Sequence, residues 1–126
     1  MIDDAEGVTM LSRREPVAAQ PHRCNECGRR IHPGERYTRE AFVLDGDFVQ
    51  HATCAHCAVV REWLERECGG YVFGAVGEDL DEHALEYRRI DLLRLCVSSR
   101  RRWRNQAGAL MRVPAVPPTT EERAAA

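Results

Sequence analysis

Apolar and polar positions divide the chain into a hairpin, two helices and looser ends. From Glu35 to Leu44, the residues Tyr37, Thr38, Phe42 and Val43 suit a pleated surface and predict a strand. Asp45-Gly46 reads as a two-residue turn, because both residues tolerate the positive φ of a type I′ turn. Asp47 to Gln50 is the return strand, in a register that sets Val43 opposite Phe48 and Phe42 opposite Val49. Thr53 is the expected cap of a helix over 55–67, with Val59, Val60, Trp63 and Leu64 on its apolar stripe. Gly69-Gly70 stops that helix. Tyr71-Val72-Phe73-Gly74 is a short apolar connector expected to pack back on the hairpin or the helix. Asp79 or Asp81 starts a last helix reaching about Arg104, with Ile90, Leu93 and Val97 on one stripe and Leu85, Leu92 and Cys96 on another.

The ends lack such periods. Residues 1–21 read as a flexible arm with a short helical piece near Met10-Leu11. The tail over 106–126 contains Val113-Pro114-Ala115-Val116-Pro117-Pro118, whose prolines forbid regular structure, so it is expected extended and disordered. Between the ends, 22–80 is the expected folded domain and 81–105 a C-terminal basic helix.

Composition changes this picture in two ways. Only eight of the 126 residues are aromatic, so the core is small and needs a further source of stability. Net charge is -2, but it is polarised: Cys24 to His83 holds 6 Arg against 12 acids, whereas Ala84 to Arg112 holds 8 Arg against 2. Such a chain can turn a basic face to an anionic partner. Eighteen arginines and no lysine point to GC-rich coding, as in a high-GC bacterium or one of its viruses. The N-terminus has no basic flank followed by an apolar stretch, so no secretory signal is expected, and no apolar run is long enough for a membrane span. The expected location is the cytoplasm of a bacterial host cell. In a reducing compartment the six cysteines are metal ligands in preference to disulfides.

The sharpest motif is Cys24-Asn25-Glu26-Cys27, then 26 intervening residues, then Cys54-Ala55-His56-Cys57. Each CxxC pair can aim two thiolates at one tetrahedral ion, which predicts a structural Zn²⁺ on Cys24, Cys27, Cys54 and Cys57. A CxxC turn, then a hairpin, then a CxxC opening a helix is the treble-clef order. The expected fold is therefore a small α+β zinc-binding domain, with a treble-clef-like knuckle, β-hairpin and helix followed by the basic helix. A rival ligand set replaces Cys57 by His51, matching the first half of a LIM domain, but no second close ligand pair follows to complete it. His56 should point away from the ion, solvent-facing or beside the ligands. Cys68 and Cys96 read as small buried hydrophobes, and Trp63 as core.

The stretch from Cys24 through Gly34-Glu35-Arg36-Tyr37, with Asp45-Gly46 and Thr53-Cys54-Ala55-His56-Cys57, resembles a group of small zinc-finger proteins encoded by bacteriophages and prophages. The resemblance covers about Arg23 to Leu80, under half the chain. It implies a zinc-binding accessory protein and supplies no reaction.

Three functions follow as expectations. The first is a non-catalytic binding module that holds nucleic acid through Arg100, Arg101, Arg102, Trp103 and Arg104, where guanidinium groups pair with phosphates and the indole stacks on a base. The alternative is a protein-interaction factor that docks on a host protein through the acidic half. The third is an HNH-like nuclease, which lacks the paired hairpin Asp and His such an enzyme needs and has no open metal position once four cysteines bind. A homodimer through the C-terminal helix is expected if that helix projects with Leu85, Leu92 and Leu93 exposed.

Overall fold

Along residues 8–125, which the computed structural model describes, the chain forms β1 (Val8–Arg14), β2 (His22–Arg23), β3 (Arg30–Ile31), β4 (Tyr37–Leu44), β5 (Asp47–Cys54), α1 (Ala55–Cys68), α2 (Val76–Tyr87), α3 (Ile90–Arg100) and α4 (Thr120–Ala125). Strands β4 and β5 pair antiparallel with Phe42 opposite Val49 and Val43 opposite Phe48, the register expected from the turn. Asp45 and Gly46 both take positive φ, 50° and 87°. The return strand continues past Gln50 to Cys54, because His51 and Thr53 alternate inward and are buried.

The expectation of a flexible arm over 1–21 is corrected from Val8 onward, and the helical piece at Met10-Leu11 is a strand. β1 pairs antiparallel with the outer edge of β4, giving the order β1-β4-β5, with a bulge between Met10 and Ser12. Its side chains are almost all exposed, so no burial alternation marks it. Backbone pairing to an open sheet edge holds it instead. Residues 1–7 lie outside the described residues.

The single last helix is also corrected. Arg88 is left-handed at φ 53° and ends α2, donating its N–H to the Ala84 carbonyl. The break turns Arg89 inward, where its guanidinium bonds Asp91 and the Pro118 carbonyl and lies over Trp63. α3 then closes in a Schellman motif: Trp103 N–H donates to Ser98 C=O and Arg102 N–H to Ser99 C=O. Arg102 and Trp103 are both left-handed, at φ 54° and 61°. That conformation costs a non-glycine residue about 1–2 kcal/mol, and the complete burial of Trp103 offsets it.

The tail is extended, as its prolines require, but it is docked and not disordered. Met111 N–H donates to the Trp103 carbonyl, and Trp63 Nε1 donates to the Pro118 carbonyl at 3.1 Å. Pro117 is buried, and Thr120 N–H meets the Glu67 carboxylate at the start of α4. An extended proline segment leaves its carbonyls free, and two buried donors of the core use one of them.

Beneath the sheet lies a buried ionic layer. The Arg61 guanidinium donates to Glu40 Oε1 at 2.8 Å and lies over Tyr71 and Phe73, with Phe73 stacked on Phe42 at 4.4 Å. The connector thus packs back on hairpin and helix as expected. Arg61 Nε and Nη2 have no hydrogen-bond partner, so the aromatic faces supply much of the charge's surroundings. No helix among the described residues is long and apolar enough to cross a membrane. Glu40→Ala should remove the one carboxylate hydrogen-bonded to the buried Arg61, leaving only Glu26 at 3.9 Å, and destabilise the fold by about 3–5 kcal/mol. A chemical-denaturation midpoint equal to wild type would contradict the pairing.

Candidate metal centre

Three segments deliver the cysteines. The first is the turn between β2 and β3. Arg23 pairs with Arg30 below it, Gly28 takes φ 80°, and the bonds Gly28 N–H to Cys24 C=O and Cys24 N–H to Arg29 C=O close it. This knuckle presents Cys24 and Cys27. The second is the end of β5, which supplies Cys54. The third is the first turn of α1, which supplies Cys57. Asn25 fastens knuckle to strand by a mutual pair of bonds, Asn25 N–H to Ala52 C=O and Ala52 N–H to Asn25 Oδ1.

The four Sγ atoms lie within 4.8 Å of one another, with Cys27 and Cys54 at 4.0 Å. All six cysteines of the chain are free thiols. The quartet is compatible with a metal site. Cys54, not Thr53, caps α1, its sulfur accepting the Cys57 N–H at 3.4 Å. Thr53 points inward as part of β5 and is fully buried. Cys24 Sγ accepts the Cys54 N–H at 3.4 Å. Trp103, carried back by its two-residue left-handed turn, donates Nε1–H to Cys57 Sγ at 3.3 Å. Hydrogen bonds from the Cys27, Cys54 and Cys57 thiols hold Cys24 far below the ordinary thiol range. Cys57, the donor in such bonds and buried, is pushed far above it. A bound cation would displace the protons of all four thiols.

Charge compensation surrounds the sulfurs. Arg29 is buried, and although burial opposes its charge, Glu35 and the neighbouring Cys54 hold its pKa above the ordinary arginine value. It donates to both Glu35 oxygens, at 3.1 and 2.7 Å, and to His56 Nδ1 at 3.3 Å. Since His56 Nδ1 accepts, its Nε2 carries the proton and donates to the Met111 carbonyl at 2.6 Å. The solvent-facing alternative for His56 is thereby corrected: the ring is buried, bridging Arg29 beside the sulfur quartet to the tail.

His51, the rival ligand, lies outside the sulfur group. Its Nε2 meets Glu26 Oε2 at 3.0 Å. The same carboxylate accepts from Gly74 and Val76 N–H, tying the knuckle to the start of α2. Of the basic segment, Arg100 pairs with Asp81, Arg104 reaches Gly108 C=O and His32, and Arg101 is exposed. Arg102 lies along Gly28 and, with Pro21, His22, Arg23 and Arg30, lines a groove of about 450 Å³ that contains no acid. Base stacking by Trp103 is corrected, because a fully buried indole cannot receive a base. Sequence reasoning offered His56 a place beside the ligands but missed the roles of Trp103 and Arg29 at the sulfurs. The only sequence signal was their aromatic and cationic chemistry, since Trp103 lies 46 residues from Cys57. Cys96 is buried as expected, while Cys68, at the helix end, is exposed.

No family model matches the chain, and neither a curated protein nor a solved structure shows significant similarity to it.

Native thiol labelling follows from this geometry. Burial first, then the Asp81 carboxylate, push the Cys96 thiol up to about 12, so it should stay unlabelled at about pH 8. Alkylation of the native, metal-loaded protein should modify Cys68 and spare Cys24, Cys27, Cys54 and Cys57, which become reactive on chelation. Equal labelling of the quartet with and without chelator, read by peptide mass spectrometry, would contradict a bound cation.

Proposed function

We propose that the chain is a non-catalytic accessory protein in which Zn²⁺ on Cys24, Cys27, Cys54 and Cys57 fixes a treble-clef scaffold, and an arginine groove on the knuckle binds nucleic-acid phosphates. Zinc is supported by the donor set. Tetrahedral zinc with sulfur at about 2.3 Å sets neighbouring sulfurs about 3.8 Å apart, close to the 4.0 Å between Cys27 and Cys54. Three N–H···S bonds and the buried Arg29 offset the charge that four thiolates leave on a divalent ion. Knuckle, hairpin and helix follow one another in treble-clef order. A closed ligand set gives the ion a structural task and no open position for a substrate.

The observation that carries the binding role is the groove. Arg23 and Arg30 are cross-strand partners on the knuckle, and Arg102, just past the end of α3, lines the same groove. Like charges lining one groove repel, and an anion between them removes the cost. Phosphate contacts of this kind position a nucleic acid without reading its bases. This moves the nucleic-acid contact from a stacking Trp103 to guanidinium groups at the zinc knuckle. The resemblance to phage-encoded zinc-finger proteins fits such an accessory role in a bacterial cytoplasm. A second reading, docking on a host protein or on another copy of the chain, is favoured by the exposed apolar side chains of Leu85, Ile90 and Val97.

Two measurements test the proposal. Cys57→Ser, or chelation, should release the metal and unfold the knuckle and α1, because such binding contributes on the order of 10 kcal/mol of folding free energy. Retained circular dichroism after complete metal removal would refute the structural role. Fluorescence anisotropy with a single-stranded oligonucleotide should show binding that weakens steeply with salt. The triple variant Arg23→Ala, Arg30→Ala, Arg102→Ala should keep its zinc and lower the salt slope by about one per arginine. Absence of binding at low salt, or an unchanged slope, would refute the groove.

A further inference from the structure

A second group of ligating side chains lies away from the cysteine quartet. Cys68 is the last residue of α1, and Asp79 and His83 stand one turn apart on α2. The Cys68 thiol, one Asp79 carboxylate oxygen and one His83 ring nitrogen all lie within 4.8 Å of one another. We infer that these three residues form a separate, solvent-accessible site for a borderline-soft divalent cation of the Zn²⁺ class, which staples the end of α1 to α2.

The distances fit. Tetrahedral zinc with sulfur at about 2.3 Å and nitrogen at about 2.05 Å sets the two ligands about 3.6 Å apart; Cys68 Sγ and His83 Nε2 are 3.5 Å apart. The imidazole is prepared for such a bond. Its Nδ1 lies 2.8 Å from the Asp79 carbonyl, so Nδ1 carries the proton and Nε2 turns its lone pair toward the sulfur. A metal-binding histidine is commonly fixed in this way through its other nitrogen. Packing fixes the ring further, edge-on against Trp63 and Tyr87 at 5.5 Å each. The side chain is thus held before any cation arrives, which reduces the ordering that binding requires.

Without a cation the Cys68 thiol donates to the Leu64 carbonyl at 3.2 Å. On binding, that proton passes to solvent and the sulfur becomes a thiolate ligand. Asp79 supplies a third, oxygen ligand, one carboxylate oxygen lying within 4.8 Å of the other two ligand atoms. Because Cys68 is exposed, the remaining position opens to water. A set of one sulfur, one nitrogen and one oxygen on the surface binds more weakly than four buried thiolates, so this ion exchanges while the quartet's stays.

The test uses the full chain carrying one Zn²⁺, to which Co²⁺ is added under reducing conditions. Wild type should take up a further Co²⁺ with a near-ultraviolet thiolate-to-cobalt band. Cys68→Ser and His83→Gln should lose that band while keeping the quartet's zinc, and Asp79→Asn should weaken binding about ten- to a hundredfold. Added Co²⁺ should also slow alkylation of Cys68 in wild type about tenfold, since a metal-bound thiolate is a poor nucleophile. That measurement decides the matter even if a variant, His83→Gln against Trp63 above all, fails to fold. No band in wild type, a band unchanged in the Cys68 variant, or an unchanged alkylation rate would overturn the site.

Discussion

Everything in this fold depends on four sulfur atoms converging on one point. The knuckle lies 26 residues before the junction of β5 and α1, and the sulfurs are where the two segments meet. Cys54 serves three tasks at once: it ends the hairpin, caps the helix and completes the sulfur group. A helix start aims free N–H groups and a positive dipole at those sulfurs, which favours thiolate over thiol. The same constraint explains the cost accepted at Arg102 and Trp103. Their left-handed turn is what brings an indole N–H to Cys57, a donor that no local residue offers.

The remainder of the core is built around cations. With eight aromatic residues in all, the chain cannot stack ring on ring throughout. Beside ring contacts such as Phe42 on Phe73, it places guanidinium groups against them: Arg61 against Tyr71 and Phe73, and Arg89 against Trp63. Each buried cation then needs a carboxylate or carbonyl, which Glu40, Asp91 and Pro118 provide. Buried pairs of this kind add little net stability but penalise mispacked alternatives heavily. The absence of lysine fits the arrangement, because a planar guanidinium stacks on rings in a way an ammonium does not.

How far the sequence announced all this differs from element to element. The hairpin register was legible because Asp45-Gly46 admits one tight turn, and the sulfur quartet because two CxxC pairs admit one tetrahedral centre. Strand β1 was not, since almost all its side chains are exposed and backbone pairing, beside one Arg13–Glu40 ion pair, holds it. The break at Arg88 was hidden because a non-glycine residue in the left-handed region carries no local mark. The burial of Trp103 was hidden by its setting among arginines, which read as a ligand-binding strip while the indole alone turned inward. Prolines in the tail foretold its extended shape and concealed its docking, since an extended chain is free to be either loose or an acceptor for buried donors.

The docked tail carries a consequence for how the molecule is made. One carbonyl, that of Pro118, receives both the Trp63 indole, 55 residues upstream, and the Arg89 guanidinium, 29 residues upstream. A nascent polypeptide leaves the ribosome in order, so both donors emerge well before their shared acceptor. Until then the heart of the protein is a half-closed box, and the proline segment that follows is its lid.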